Sequence, residues 1–230
     1  MNTSILTEQL NTMNHQLHTL LYERAVYDEL GVAPLHPWFL LQLQVPKLLG
    51  ETIQAVDETA LYAVAAVHAA FQTHDRVHTH EAVDEKGQLT VLAGDHFSGI
   101  HYQILAKSGH FPLIFQLSKA ISQMNEEKTE LFYQSSLPIE EWLTGIEAIE
   151  LQGVRAAFEL AGWHEAYQVV RLLYPYGLLK RGQMLLPNVA AYPIEEQVAV
   201  LNGLEKKLNE LGSKEPRLQQ VIDLYLSIED

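Results

Sequence analysis

Cysteine is absent from the 230 residues of this chain. Disulfide bonds, thiolate metal sites and cysteine nucleophiles are therefore excluded, and a reducing compartment fits. Basic residues are scarce, with 15 lysines and arginines against 29 acidic residues and a formal net charge of -14. This charge opposes binding to nucleic acid and to anionic membranes. Signal-peptide order and long apolar runs are also missing, so we expect a cytoplasmic protein without a membrane span.

Strand patterns are missing as well, and apolar residues instead recur at spacings of three and four. This periodicity predicts amphipathic helices, and the length fits one domain. We therefore predict a single all-α domain over residues 1–230, built as a bundle of about nine helices. The predicted helices cover residues 3–30, 38–49, 51–77, 89–106, 113–134, 136–162, 163–179, 193–211 and 216–228.

Histidines and aspartates gather where the third predicted helix ends and the fourth begins. His74 and His78 are one helical turn apart, a spacing that metal ligands use, and Asp75 or Asp95 could supply a third ligand. No His-Glu-x-x-His or Glu-x-x-His motif supports such a site. Helix-end histidines that hydrogen-bond to carboxylates or water are the stronger interpretation, and a metal site stays the alternative.

Asp75 and Asp95 flank the turn between these two helices, so their carboxylates could face each other and hold Mg²⁺. A magnesium-diphosphate site usually needs several carboxylates and basic residues for the phosphate charge. Here the neighbours of Asp75 are Arg76 and His78 rather than further acids. We therefore favour a local ion pair of Asp75 with Arg76 or a histidine at the end of the helix.

The same part of the chain resembles the trans-prenyl diphosphate synthases at three successive motifs. HDRVHT at residues 74–79 is similar to their His-Asp-Asp-x-x-Asp segment, with Arg76 and Thr79 in place of the second and third aspartates. LAGDHF at residues 92–97 resembles the segment that opens their next helix, and LSKAI at residues 117–121 with two later glutamates resembles the helix after that. The resemblance implies the all-α isoprenoid synthase fold.

The departures from that family are as informative as the matches. Its members carry Gly-Lys-x-x-Arg-Pro near the N-terminus, whereas GVAPLHP at residues 31–37 has no lysine or arginine. The arginine pair after the first aspartate motif is missing, and no acidic pair follows AYQVVR at residues 166–171. The resemblance therefore implies a degenerate motif without catalytic residues or a cofactor of its own, consisting of Asp75, Arg76, Thr79 and Asp95.

A synthase fold without both diphosphate sites resembles the small, non-catalytic subunits of the heterodimeric hexaprenyl and heptaprenyl diphosphate synthases. The resemblance implies a catalytic component 2 that carries Mg²⁺ and lengthens farnesyl diphosphate with isopentenyl diphosphate for the menaquinone side chain. It also implies that this subunit is inactive alone, helps to set chain length, and could be a homodimer when isolated.

The alanine-rich helix before Asp75 suggests a place for the polyprenyl tail. Ala66, Ala69 and Ala70 are small enough to leave room for a hydrocarbon channel, and 18 helical residues would form a wall of roughly 27 Å. Close helix packing is an equally strong interpretation of these alanines.

By analogy with the synthase dimer, the candidate partner contacts are Phe97, Ser98, Gly99 and Tyr102. Burial in the core is the alternative for these residues. Two functions outside the prenyl synthases also stay open, namely a helical metal-binding bundle that uses His74 and His78, and an adaptor that binds a protein partner but no lipid.

Overall fold

A computed structural model of the chain describes residues 3–77, 84–134, 137–181, 194–214 and 216–227. Within these ranges the regular structure is entirely helical, as the sequence predicts, and no helix is both long and apolar enough to cross a membrane. The helices are α1 (Thr3–Leu20), α2 (Arg24–Leu30), α3 (Pro37–Leu49), α4 (Ala55–His74), α5 (Glu85–Ser108), α6 (Phe111–Tyr133), α7 (Ile139–Glu150), α8 (Gln152–Ala161), α9 (His164–Arg181), α10 (Ile194–Lys214) and α11 (Pro216–Ser227).

Two predicted helices are each divided by a break that the periodicity did not show. Residues 3–30 form α1 and α2, because extended Glu23 caps α2 with its carboxylate, which accepts hydrogen bonds from the amides of Ala25 and Val26 at 2.6 and 3.2 Å. Residues 137–162 include α7 and α8, which are separated at Leu151. Neither break contains glycine or proline, so the prediction of single helices at these two places was wrong.

The helix α4 is central to the bundle and carries the predicted motif at its C-terminal end. It packs along α5 on one side and against α8 on another, while α3 packs against α9 and α11. Trp38 of α3 contacts Tyr174 of α9, with ring centroids 5.3 Å apart. Because α3, α4 and α9 bury nearly all of their central residues, the polar side chains among them lie inside the protein.

Gly99 inside α5 and Gly109 directly after it are expected to respond oppositely to replacement by alanine. Gly99 is an exposed position inside the helix, and a Cβ there would meet no atom within 4 Å, so Gly99→Ala should stabilise the chain by roughly 0.5–1 kcal/mol. Gly109 ends α5 at φ +73°, so Gly109→Ala should destabilise it by about 1–2 kcal/mol. Urea denaturation of both variants measures the difference, and equal midpoints would contradict the prediction.

Candidate functional site

Asp75 lies at the C-terminal end of α4 and is paired with a lysine from a distant helix. Its carboxylate contacts the ammonium group of Lys128 of α6, and the two side chains are only 15 and 24% exposed. Burial lowers the pKa of Lys128, and the nearby Glu150 charge opposes this shift. Within the described residues the cation beside Asp75 is thus Lys128, which corrects the predicted pairing with Arg76 or a histidine.

Asp95 has a different partner on the neighbouring helix. Its carboxylate lies 3.6 Å from Nε2 of His74, with both side chains substantially exposed. Gly94 makes this approach possible, because a Cβ at this position would lie only 2.5 Å from the His74 ring. Asp75 and Asp95 therefore each lie beside a separate basic group, Lys128 for the first and His74 for the second.

Metal-ligating side chains do not gather in threes or more in the part of the chain that the structure describes. His78 and Thr79 lie outside the described residues, so the hypothesis of a His74 and His78 site stays untested. Arg76 is exposed and lines a cavity of about 390 Å³ together with Val32, Pro34 and Lys86. The segment that corresponds to the family's basic loop thus contributes apolar side chains to this cavity.

A buried polar cluster lies below Asp75 on the same side of α4. We name this side the inner face of α4 and define it by Val64, His68, Gln72 and Asp75, which follow one another at spacings of four, four and three. Nδ1 of His68 lies 3.4 Å from the carboxylate of Glu150 at the end of α7. The Gln72 amide donates to both oxygens of the same carboxylate at 3.4 Å.

Burial controls the protonation of this cluster. It raises the pKa of Glu150 to about 7, while the positive charge of Lys128 and the hydrogen bond from Gln72 partly oppose that shift. Burial also lowers the pKa of His68 to about 3, and His36 lowers it further. The His68 ring is stacked on Phe39 of α3, with centroids 3.6 Å apart and planes within 6°. His68 is therefore neutral near pH 7, and the Glu150 carboxyl takes up a proton at a higher pH than an exposed glutamate does.

Few local signals in the sequence indicate this buried polar cluster. The spacing of His68, Gln72 and Asp75 on one helix face could have shown that polar residues lie beneath the motif. Nothing local marks Glu150 or Lys128, because each comes from a later helix and meets α4 only through tertiary packing.

The three predicted channel alanines lie on the other side of α4. At 100° per residue, Ala66, Ala69 and Ala70 are about 120–180° away from Asp75 around the helix axis. They are 0, 0 and 3% exposed and belong to the core. The interpretation as close helix packing accounts for this placement, whereas the side of α4 that Asp75 occupies carries the polar cluster.

The four predicted partner contacts divide into buried and exposed residues. Phe97 is 2% exposed and packs in the core, so it cannot act as an anchor on the surface. Ser98 is half-buried, whereas Gly99 and Tyr102 are exposed. The Tyr102 hydroxyl lies 3.1 Å from the Ser118 hydroxyl and joins the outer surfaces of α5 and α6. Two exposed phenylalanines, Phe111 and Phe115, continue this surface along α6.

Comparison with known proteins places this chain beside one kind of prenyl synthase subunit. The family model described as "Heptaprenyl diphosphate synthase (HEPPP synthase) subunit 1" matches residues 39–183. Heptaprenyl diphosphate synthase component 1 of Geobacillus stearothermophilus is 34% identical over 125 residues, which are 54% of this chain and 55% of that protein. The match thus spans about half the length of this curated relative.

The fold has a solved counterpart of similar size. The crystal structure of a decaprenyl diphosphate synthase from Rhodobacter capsulatus superimposes with a TM-score of 0.57, covering 96% of this chain and 95% of that one. Sequence identity is 14%, so this likeness concerns the fold alone. It confirms the predicted all-α fold of the isoprenoid synthase type.

Proposed function

This chain belongs to the family of heptaprenyl diphosphate synthase subunit 1, and we propose that it is the auxiliary subunit of a heterodimeric long-chain prenyl diphosphate synthase. In this proposal the chain is inactive alone and assembles with a catalytic component 2. The partner binds Mg²⁺ with intact aspartate motifs, and the heterodimer lengthens farnesyl diphosphate with isopentenyl diphosphate. The subunit helps to set the product length, and the product supplies the side chain of menaquinone.

The pairing of Asp75 with Lys128 is the observation that carries this proposal. Magnesium-diphosphate sites use oxygen ligands from several carboxylates, which must be free to bind the ions. Here one carboxylate has a fixed ammonium group as its partner, Asp95 faces His74, and Arg76 adds positive charge beside the motif. The described residues therefore do not fit a magnesium-diphosphate site, and we assign that site to the partner.

Product analysis tests the proposal directly. Farnesyl diphosphate and labelled isopentenyl diphosphate are incubated with Mg²⁺ and this chain alone, component 2 alone, or the two together. We expect long polyprenyl diphosphate only from the mixture. Product from this chain alone would refute the inactivity of the subunit, and a mixture that equals component 2 alone would refute the auxiliary role.

We place the partner contact on the outer surface of α5 and α6. Six exposed residues follow α6 at spacings of four and three and carry no charge, although the chain as a whole is strongly acidic. Charged residues are depleted and aromatic residues enriched at the centres of protein interfaces. The six residues are Phe111, Phe115, Ser118, Ser122, Asn125 and Thr129, and with Gly99 and Tyr102 of α5 they define the α5–α6 face.

A glutamate at Gly99 is expected to weaken assembly at least tenfold. An added Cβ meets nothing within 4 Å in the isolated chain, so a glutamate side chain fits there. In the heterodimer this side chain would place a charge and extra bulk between the α5–α6 face and component 2. The matched control is Gly203→Glu on α10, where the glycine is equally exposed and open. Titration of component 2 should show a Kd within twofold of the native value for the control.

The two variants also separate folding from binding. Both should retain the helical circular dichroism and the unfolding cooperativity of the native chain. If Gly99→Glu binds component 2 as tightly as Gly203→Glu does, the partner does not contact the α5–α6 face at this position.

A further inference from the structure

We propose that a buried polar barrier inside this subunit excludes the polyprenyl tail from its interior, so that the subunit acts on chain length from its surface. The barrier consists of Phe39, His68, Gln72 and Glu150, contributed by α3, α4 and α7. The inference rests on the proposed function, because it concerns where the growing tail lies in the heterodimer.

The barrier lies on the path that a tail beside Asp75 would take into this chain. Gln72 and His68 are three and seven residues before Asp75 on the inner face of α4, or roughly 4.5 and 10.5 Å along the helix axis. A hydrocarbon that entered the bundle at the degenerate motif and followed α4 would therefore meet both side chains within two helical turns.

Direct contacts close the space between α3 and α7 at this level. One face of the His68 ring is stacked on Phe39 at 3.6 Å, and its Nδ1 lies 3.4 Å from Glu150. The side chains of His68 and Glu150 are 4 and 3% exposed. Separations of this size are ordinary contact distances, so these side chains occupy the space that a methyl-branched hydrocarbon would need between them.

The polarity of these side chains opposes the entry of a hydrocarbon in addition to their bulk. A tail that separated these residues would leave the Glu150 carboxyl without the Gln72 amide and the His68 ring, and a hydrocarbon offers no replacement hydrogen bond. Lys128 lies above the cluster and pairs with Asp75, so a second polar layer precedes the barrier. Passage would thus expose two successive buried polar groups to hydrocarbon.

The tail of the product must then lie in the partner or between the subunits. The residues of this chain that influence product length belong to its outer surface, and the α5–α6 face is the part that the proposed assembly brings next to the partner. Substitutions on the inner face of α4 that keep the barrier intact should leave product length unchanged.

Photolabelling of the assembled heterodimer tests the barrier. A farnesyl diphosphate analogue with a benzophenone at the end of its tail is elongated by the complex and irradiated, and the labelled peptides are sequenced by mass spectrometry. We expect adducts on component 2 or on exposed residues of this chain. An adduct on Phe39, His68 or Glu150 in the native complex would overturn the proposal.

Two variants test separately whether the bulk or the polarity of the barrier side chains excludes the tail. Phe39→Ala opens space but retains the carboxyl, so water should fill it and interior labelling should stay at the native level. Phe39→Ala combined with Glu150→Leu opens the space and removes the carboxyl, and interior labelling should rise at least fivefold. Interior labelling of the single variant to the same extent would overturn the role of polarity.

The outcomes remain interpretable if the double variant fails to fold. Labelling of the native complex then tests the barrier, and Glu150→Gln serves as a second variant. It retains a polar side chain and should be labelled like the native protein. An active mixture whose tail labels the barrier residues refutes the barrier only. A mixture that gives no elongation beyond component 2 alone refutes the proposed function instead.

Discussion

Replacing Lys128 by methionine is expected to lower the free energy of unfolding by about 2–3 kcal/mol, somewhat less than the loss for a fully buried pair. Methionine retains much of the apolar stem but removes the ammonium group that neutralises Asp75. The carboxylate, which is 15% exposed, then has little water to replace that partner. Glu150 also loses the positive charge that favours its ionised form. Urea denaturation at pH 7 measures the change.

Lys119→Met on the same helix is the matched control. Lys119 is exposed and lies over the Phe115 ring at 4.4 Å, so its loss should cost no more than about 1 kcal/mol. The double variant Asp75→Asn with Lys128→Met should recover part of the loss, because the unpaired charge is gone. Unfolding of Lys128→Met and Lys119→Met at the same urea concentration would contradict the neutralisation of Asp75 by Lys128.

The consequence for function is that the degenerate motif is stabilised within the subunit itself. By resemblance, Arg76 and Thr79 stand where the prenyl synthases carry two aspartates. The structure adds that the Asp75 carboxylate is paired with the Lys128 ammonium group of α6. A carboxylate paired in this way contributes to the stability of the fold, and we propose that it does not bind metal or diphosphate.

The helices were predictable because their signals are local. Apolar spacing located α4 and α6, and Gly31 and Gly109, which end α2 and α5, directly follow or lie close to the ends of the predicted ranges 3–30 and 89–106. The break before α2 depends on a glutamate as the N-cap, and the break at Leu151 has no turn residue, so neither carried a local signal that we recognised. Periodicity alone therefore joined helices that the chain divides.

The interior of the site was not predictable from the same signals. The sequence placed Asp75 at a helix end, but its partner Lys128 is 53 residues away and Glu150 is 78 residues from Gln72. The alanines were chosen by size, whereas their angle around α4 decides which side they occupy. Phe97 was chosen as an aromatic anchor, although its position on α5 points it into the core. Tertiary packing, rather than residue type, determined each of these outcomes.

Acidification from pH 6.5 to 4.5 is expected to destabilise the native chain less than it would if only the two buried histidines, His68 and His101, responded to pH. Burial lowers the pKa of His101 to about 4 and that of His68 to about 3, from an ordinary value of 6.5. Below pH 6.5 the unfolded chain therefore binds two protons that the folded chain does not. Burial raises the pKa of Glu150 from 4.5 to about 7, so the folded chain keeps one proton that the unfolded chain lacks.

These three groups give a net uptake of about one proton on unfolding between pH 6.5 and 4.5, so they should reduce the free energy of unfolding by roughly 1 kcal/mol for each unit by which the pH falls. His101→Leu removes one group that takes up a proton on unfolding, so the contribution of the remaining two groups should be near zero. Over two pH units this variant should differ from the native chain by roughly 2–3 kcal/mol. Glu150→Gln removes the carboxyl that is protonated only in the folded chain. The loss of unfolding free energy per pH unit should therefore roughly double. Urea denaturation of the three proteins at several pH values measures the slopes, and differences from the native chain cancel the other titrating groups. Equal slopes for the two variants would mean that these buried groups do not control the response to acid, whereas opposite changes would show that Glu150 carries a proton in the folded interior.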